Sequence, residues 1–570
     1  MKKISLEIPI NQMTKSEIIY FILLSAVWIT MTICVNPSGD FPLNDDWAYG
    51  KTVQSLVEKG EFQISDWAAP NLFSQIFWGA LFCLPFGFSF TALRLSTLTL
   101  GLIGVLATYG LLRETNSTPK LAFFGALLVA VNPLYFGLSN TFMTDVPFFA
   151  FAAVAIYLLI QGLRRNSGTE IFWGIIIASI ALLVRQLGIA IFLAFSCAYI
   201  INKGINIRNI IKGFSFSLLG LFLQISYQKW LQLIEGTPAL YGKQASNIFN
   251  IIFTNLGDAL LNIGYRSPIA LIYLGLFIFP LLMILFLMKL KEFNYKDKIL
   301  TIFSLSTLSM VLIGLLIFKH KRMPLSNNVL NDFGLGPLTL HGSFFHIRLV
   351  IPTALEIFWK ILTVIGVVGA VMLILYLFWV FWQFYSDFKQ SRFNNNWLTI
   401  FIIAAGLIYF LPLGIGGFFD RYLIFLVPLS LMLISVSTIN RSNVQMSPIL
   451  VYFGSFILLL WGLFTVGATH DYLSWNRTRW QALNSLVKEY QVPPNSIDGG
   501  FEFNGWYLYQ PKYQKTPNKS WWWVDQDDYI ISFGPLANYE EIKRYSFSKW
   551  LPFGPENILV LQKISQFSQI

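Results

Sequence analysis

Charged side chains are scarce in this chain: they make up 12% of its 570 residues, about half the share found in soluble globular proteins. So little polar surface would not keep an ordinary soluble domain dispersed. Cysteine is nearly missing too. Cys34, Cys83 and Cys197 all lie in or beside apolar runs, which argues against a disulfide framework. Only four histidines occur, His320, His341, His346 and His470, and no His/Cys cluster among them has metal-ligand spacing. No small-residue cleavage site follows the first apolar run, and the polar leader before it is long, so that run reads as an uncleaved span rather than a signal peptide. There is no fixed-period repeat and no low-complexity tract.

What is present points to a bilayer. Hydrophobic residues make up 55% of the chain, and mean hydropathy is +0.59. Aromatics reach 17%, and Trp and Tyr favour the membrane–water interface. The net charge of +11 would suit nucleic acid, but the basic residues sit in short clusters between apolar runs. The lipid bilayer is therefore the expected partner, and nucleic acid is not.

Runs long enough to cross about 30 Å of hydrocarbon lie near 18–35, 92–112, 121–137, 146–163, 170–185, 187–202, 213–228, 268–288, 299–318, 359–384, 397–413, 422–439 and 448–467. They predict a mainly α, polytopic fold of roughly thirteen transmembrane helices. The stretch 72–86 is apolar but broken by proline, and reads as interfacial. With 1–17 as a cytoplasmic N-terminal segment, the short basic loops fall inside, as the positive-inside rule requires. They carry Arg113 and Lys120, Arg164 and Arg165, Lys203, Arg208 and Lys212, the lysines at 289–298, Lys389 and Arg392, and Arg441. The other loops are longer and richer in acids, above all 36–71 and 319–358, and fall outside. An odd number of spans then puts the segment after 468 outside too.

That segment, 469–570, changes character. A helix is expected over 477–490, with Trp480, Leu483, Leu486 and Val487 on one face. Short strands are expected at 496–498, 529–533 and 558–561, and a second helix at 539–545. The sum is a small extracytoplasmic α/β domain beside the multi-span domain of 18–468.

Candidate chemistry sits in the external loops. Asp45 and Asp46 follow the first span. One reading makes them solvated helix caps; the other makes one a general base at the membrane surface and its neighbour a support, since consecutive helical residues diverge in direction. Asp145 shortly precedes Pro147, and Thr144 or Asp145 as an N-cap is the bland alternative. Basic residues at external span ends are Arg94, Arg185, Lys319, Lys321, Arg322, Arg348 and Arg421. Each suits a snorkelling anchor or a structural pair. Together they suit a lipid phosphate, which arginine binds with two parallel hydrogen bonds.

These motifs, in order, resemble the GT-C superfamily of membrane glycosyltransferases, in the bacterial branch similar to protein O-mannosyltransferases and to aminoarabinose transferases acting on lipid A. The features are Asp45-Asp46, Ala92-Leu-Arg-Leu-Ser96, Asn132-Pro-Leu, Met143-Thr-Asp-Val-Pro147, Val184-Arg-Gln186 and Asp420-Arg-Tyr through Pro428. The resemblance covers about 16–198 and extends thinly to Arg421 and Tyr422. It implies inverting transfer of a hexose or pentose from a polyprenyl-phosphate donor to an extracytoplasmic hydroxyl on lipid, glycan or protein, at the plasma (inner) membrane. It implies Asp45 or Asp46 as base and Asp145 as the second acid. Arg185 and Arg421 would be donor-phosphate ligands, with Lys321 and Arg322 joining them as external boundary charges, and Arg94 and Tyr422 supports. No cofactor is required by the motifs, although paired aspartates leave a divalent cation open. The loop 319–358 is expected to cover a groove for the lipid tail.

Two other classes compete. A lipid or sugar transporter would place ionisable residues or Gly/Pro breaks mid-span in related halves, whereas here the charges sit at span ends. A non-catalytic receptor would use Trp521-Trp522-Trp523 or Trp506-Tyr507 as a partner or sugar platform, where domain core is the plainer reading.

Overall fold

The computed structural model describes residues 14–234, 236–319, 321–326, 328–331, 334–340, 356–389, 396–439 and 448–564. His320, His341, His346, Arg348, Arg392 and Arg441, named above, lie outside the described residues, as does most of the N-terminal segment.

Helix α1 (Lys15–Val35) opens on a capping box in which Thr14 and Glu17 satisfy each other's backbone N–H groups. Two short helices, α2 (Asp46–Lys59) and α3 (Phe73–Cys83), follow. At its length α3, the stretch read as interfacial, rises about 16 Å and cannot cross a bilayer. Next come α4 (Phe90–Glu114), α5 (Pro119–Ala130) and α6 (Pro133–Ser139). The pair α5 and α6 is bent by 61°, because Asn132 takes the N–H groups of Leu134 and Tyr135 and Pro133 restarts the helix. Long helices then dominate: α7 (Asp145–Arg165), α8 (Gly168–Val184), α9 (Ile189–Lys203), α10 (Ile207–Ile234), α11 (Tyr241–Thr254), α12 (Leu256–Glu292) and α13 (Tyr295–Phe318). After them come α14 (Glu356–Lys389), α15 (Trp397–Gly416), α16 (Leu426–Ile439) and α17 (Pro448–Asn484).

Among the described residues ten helices are long and apolar enough to cross a membrane, or eleven if the bent pair is one span. The expected count was roughly thirteen, and the two remaining runs form shorter apolar helices. The run at 170–185 stops at Val184, where Arg185 turns extended (φ −142°, ψ 134°). The run at 422–439 opens as a 3-10 segment, Asp420–Phe425, before α16 begins. Each of these shorter helices adjoins irregular backbone that carries a buried arginine, Arg185 or Arg421.

Close helix packing relies on small residues. A Cβ at Gly275 of α12 would lie 2.2 Å from the backbone N of Ala370 in α14, so the two backbones touch. Elsewhere apolar side chains face outward: Phe303 and Met310 on α13 are exposed, as a lipid-facing helix requires.

Helix α17 runs without a break through position 469 and is buried from Asp471 to Trp475. Beyond it, β3 (Ile497–Asp498), α18 (Phe501–Leu508), β4 (Tyr529–Ser532), β5 (Tyr539–Trp550) and β6 (Phe553–Lys563) form a sheet with strand order β3-β4-β6-β5. β3 and β4 are parallel and the other pairs antiparallel. The stretch 539–545, expected as a helix, is the first half of β5. It pairs with β6 from Tyr539↔Lys563 to Trp550↔Phe553, and this long partner outweighs local helix preference. Earlier in the chain, the two-residue strands β1 (Leu330–Asn331) and β2 (Gly334–Leu335) pair antiparallel as the 330–335 hairpin.

Candidate active site

A cavity of about 1000 Å³ opens where the start of α2, the turn into α7, the chain break after α8, the 330–335 hairpin, the 3-10 segment and the C-terminal sheet region meet. The charged residues lining it, among the described residues, are Asp45, Asp145, Arg185 and Arg421. They come from four separate stretches of chain, and folding brings them together.

Asp45 stands at the N-cap position of α2 but makes no side-chain capping bond. Its Oδ1 instead accepts from Trp67 Nε1 at 2.8 Å, and its Oδ2 lies 3.8 Å from Arg421 Nη2. Burial pushes its pKa up, and Arg421 opposes the rise. Asp46 points elsewhere. It is buried, does not line the cavity, and accepts from the Leu43 N–H at 3.3 Å. Burial lifts its pKa to about 8, so near neutral pH it is largely protonated.

Asp145 opens α7, and Thr144 at its N-cap makes no side-chain bond either. Asp145 ion-pairs with Arg185 through Oδ1, and its Oδ2 lies 3.8 Å from Arg421 Nε. The Arg185 guanidinium also sits over the Tyr422 ring, 4.5 Å from its centroid. Arg421 is buried, and its Nε and Nη1 have no hydrogen-bond partner among the described residues. Its ion pairs to Asp45 and Asp145 are long. Buried N–H donors in that state favour an incoming anion strongly. Beside it, Asp420 accepts from the backbone N–H groups of Leu330 (2.8 Å), Val329 (3.1 Å) and Arg421 itself (2.8 Å). Those bonds fasten the 330–335 hairpin, and Asn328, Asn331, Pro337, Leu338 and Thr339 around it line the cavity. This is the described part of the loop expected to cover the site; 341–355 lies outside the described residues.

Other expected residues fall away from the cavity. Arg94 is buried in α4 and donates to the carbonyls of Gly39 at 3.2 Å and Phe41 at 3.0 Å, clamping the loop before Asp45. Lys321 is exposed and donates to the Tyr265 hydroxyl at 3.1 Å. Arg322 donates to the Met323 carbonyl at 2.9 Å. Neither lines the cavity; the Lys321 contact is with Tyr265 of α12, and the Ser326 N–H donates to Tyr273 of the same helix. Tyr422 does line it.

Sequence reasoning passed over Tyr49, Trp67, Tyr241 and Phe501, all of which line the cavity. Trp521 and Trp522 line it as well, whereas Trp523 is buried against Trp47 and Trp67. It also passed over Glu502. An acid between Phe501 and Phe503 was the available signal, since a carboxylate among aromatics needs a buried partner.

A divalent cation fits this donor set poorly. Among the described residues no group of three His, Cys, Asp or Glu is placed to hold a metal. The two cavity carboxylates each face a guanidinium, so their charge is already balanced.

Residues 75–230 match the family described as dolichyl-phosphate-mannose-protein mannosyltransferase. The matched stretch runs from α3 into α10 and includes Asp145 and Arg185. No curated protein sequence matches. Among solved structures, the chain is similar to ArnT from Cupriavidus metallidurans bound to undecaprenyl phosphate, at 10% identity and a TM-score of 0.44, over 95% of this chain and 97% of that one. It is similar to the Archaeoglobus fulgidus oligosaccharyltransferase tethered with an acceptor peptide, at 15% identity and a TM-score of 0.43, over 88% of this chain and 60% of that one. It is also similar to the S. cerevisiae protein O-mannosyltransferase Pmt1-Pmt2 complex bound to the sugar donor, at 15% identity and a TM-score of 0.32, over 39% of this chain and 34% of that one. The chain thus spans about a third of the yeast chain and three fifths of the archaeal one.

Proposed function

We propose that the protein transfers a sugar from a polyprenyl-phosphate donor to a hydroxyl on an extracytoplasmic acceptor, with inversion at the anomeric carbon. The observation carrying this reading is the meeting of Asp45, Asp145, Arg185 and Arg421 on one cavity. The acceptor hydroxyl attacks the anomeric carbon from the face opposite the phosphate. Asp45 takes its proton as the new C–O bond forms. The bond from the anomeric carbon to the phosphate oxygen breaks, and polyprenyl phosphate leaves with that electron pair. Arg421 and Arg185 meet the charge gathering on the phosphate, and fixed donors aimed at developing charge stabilise the transition state most. Asp145 holds both guanidiniums in place. Asp46 supports the loop and does not touch substrate. The site lies on the extracytoplasmic face of the plasma membrane, together with the segment after 468.

The test uses the purified protein in lipid with a panel of polyprenyl-phosphate sugars. Asp45→Asn is expected to lower turnover by about 10²–10⁴-fold, the usual contribution of a general base, and Asp46→Asn to lower it less. Full activity in Asp45→Asn would remove the base assignment. Sugar or lipid movement across proteoliposomes without any transfer would make the protein a transporter.

A further inference from the structure

Glu502 is a fully buried carboxylate of the C-terminal region that the transfer chemistry leaves unused. Its Oε1 accepts the backbone N–H of Asn44 at 2.9 Å, across most of the chain length. Its Oε2 pairs with Arg479 Nη2 at 2.8 Å, and both side chains have 0% exposure. Arg479 is itself held, donating to the Gly499 carbonyl at 3.0 Å and to Asn476 Oδ1 and Thr339 Oγ1 at 3.2 Å. The Thr339 contact reaches the stretch after the 330–335 hairpin, which also lines the cavity.

Asn44 immediately precedes Asp45 and has a φ of 55°, in the left-handed region that asparagine adopts more readily than most non-glycine residues. The rest of its loop is fastened by other polar side chains. Arg477 donates to the Asn36 carbonyl at 2.7 Å, Arg94 to Phe41, and Asp46 accepts from Leu43. At Asn44 the fastening is Glu502, and a hydrogen bond to a buried charge is among the stronger kinds. That bond ties the backbone immediately before Asp45 to the C-terminal region, beside the contacts of the Asp45 carboxylate with Trp67 and Arg421.

We infer that Glu502, locked by Arg479, is a positioning residue: by holding the Asn44 N–H it fixes the direction of the Asp45 carboxylate, so the segment after the last span completes the site. This rests on the reading of Asp45 as the base. The groups facing Asp45 are Arg421 from the 3-10 segment, Asp145 from α7, Glu502 from α18 and the Trp67 indole, with Asp46 and Tyr49 on its own helix. The negative charge of Glu502 opposes ionisation of Asp45, so removing that charge shifts Asp45 titration to lower pH.

Two variants of the full chain in lipid test this. Glu502→Gln removes the charge and keeps an acceptor for Asn44. The double variant Arg479→Leu, Glu502→Leu removes the hydrogen bond without stranding a buried charge. Steady-state transfer is measured, together with carbodiimide labelling of Asp45 against pH, read by mass spectrometry, which needs no turnover. The double variant should lose about tenfold or more in kcat with donor KM nearly unchanged, the pattern of a lost transition-state interaction. Its Asp45 labelling profile should also change. Glu502→Gln should keep most of its kcat and move both the acid limb of kcat/KM and the labelling midpoint to lower pH. A folded double variant with wild-type kcat and labelling would overturn the inference. If that variant fails to fold, Glu502→Asp, which keeps the charge but shortens the reach to the Asn44 N–H, takes its place, and wild-type kcat and labelling in that variant overturn the inference instead. Wild-type protein without transfer activity would end the glycosyltransferase reading, while the labelling would still decide whether Glu502 positions Asp45.

Discussion

Asp45 and Asp46 are neighbours of identical chemistry, yet helix geometry sends one to the cavity and the other into the packed loop. Their divergence was legible in the sequence; which of them faced the site was not, because that depends on where Trp67 and Arg421 lie. The capping alternatives were equally open in the sequence, and the structure shows neither Asp45 nor Thr144 making a side-chain capping bond. At this scale Arg421 carries the sharpest prediction. Arg421→Ala should weaken binding of the lipid-phosphate donor about tenfold or more, as expected for losing a hydrogen bond to a charged group, and leave acceptor KM within about twofold. Equilibrium donor binding checks this, and an unchanged donor affinity would count against its role at the phosphate. A pH profile supplies a second check. Because burial raises the Asp45 pKa, the acid limb of kcat/KM should fall at a pH above the ordinary carboxylate value of about 3.9. A limb at or below that value would point away from Asp45.

Elements show where hydropathy succeeds and where it misleads. Most apolar runs became single helices, because in lipid a helix alone satisfies its own backbone. The runs at 170–185 and 422–439 form the shorter helices α8 and α16, and hydropathy does not reveal that irregular backbone beside each of them carries buried Arg185 and Arg421. Strand β5 was missed because its conformation comes from its partner β6. Packing between elements is also testable. Gly275 and Gly369 let α12 and α14 touch backbone to backbone. Gly275→Leu should force the helices apart and lower the melting temperature in detergent by several degrees, since overpacking typically costs about 1–3 kcal/mol. An unchanged melting temperature would show that the contact yields easily.

On the scale of the whole molecule, the C-terminal region is joined to the membrane part by buried contacts. Trp47 of α2 packs against Phe501, Tyr509 and Trp523, and Asp471 of α17 accepts the Trp550 N–H at 2.7 Å. If the site is extracytoplasmic, this region is too. In a variant lacking Cys34, Cys83 and Cys197, a cysteine replacing the exposed Tyr490 should react with an impermeant maleimide in intact cells, whereas one replacing the exposed Lys120 should react only after permeabilisation. Labelling in the reverse order would invert the topology.

The sequence alone determined that this protein lives in a membrane, roughly where it crosses, and which short motifs carry charge. Those are local properties, set by the free energy of placing each stretch in hydrocarbon or water. Only the tertiary structure decided which charges meet. Asp45, Asp145, Arg185 and Arg421 were brought together, Lys321 and Arg322 were left outside, and Glu502 was tied to Asn44. Those outcomes depend on contacts between distant stretches, where the desolvation of each charge must be met by a partner that chain order does not reveal.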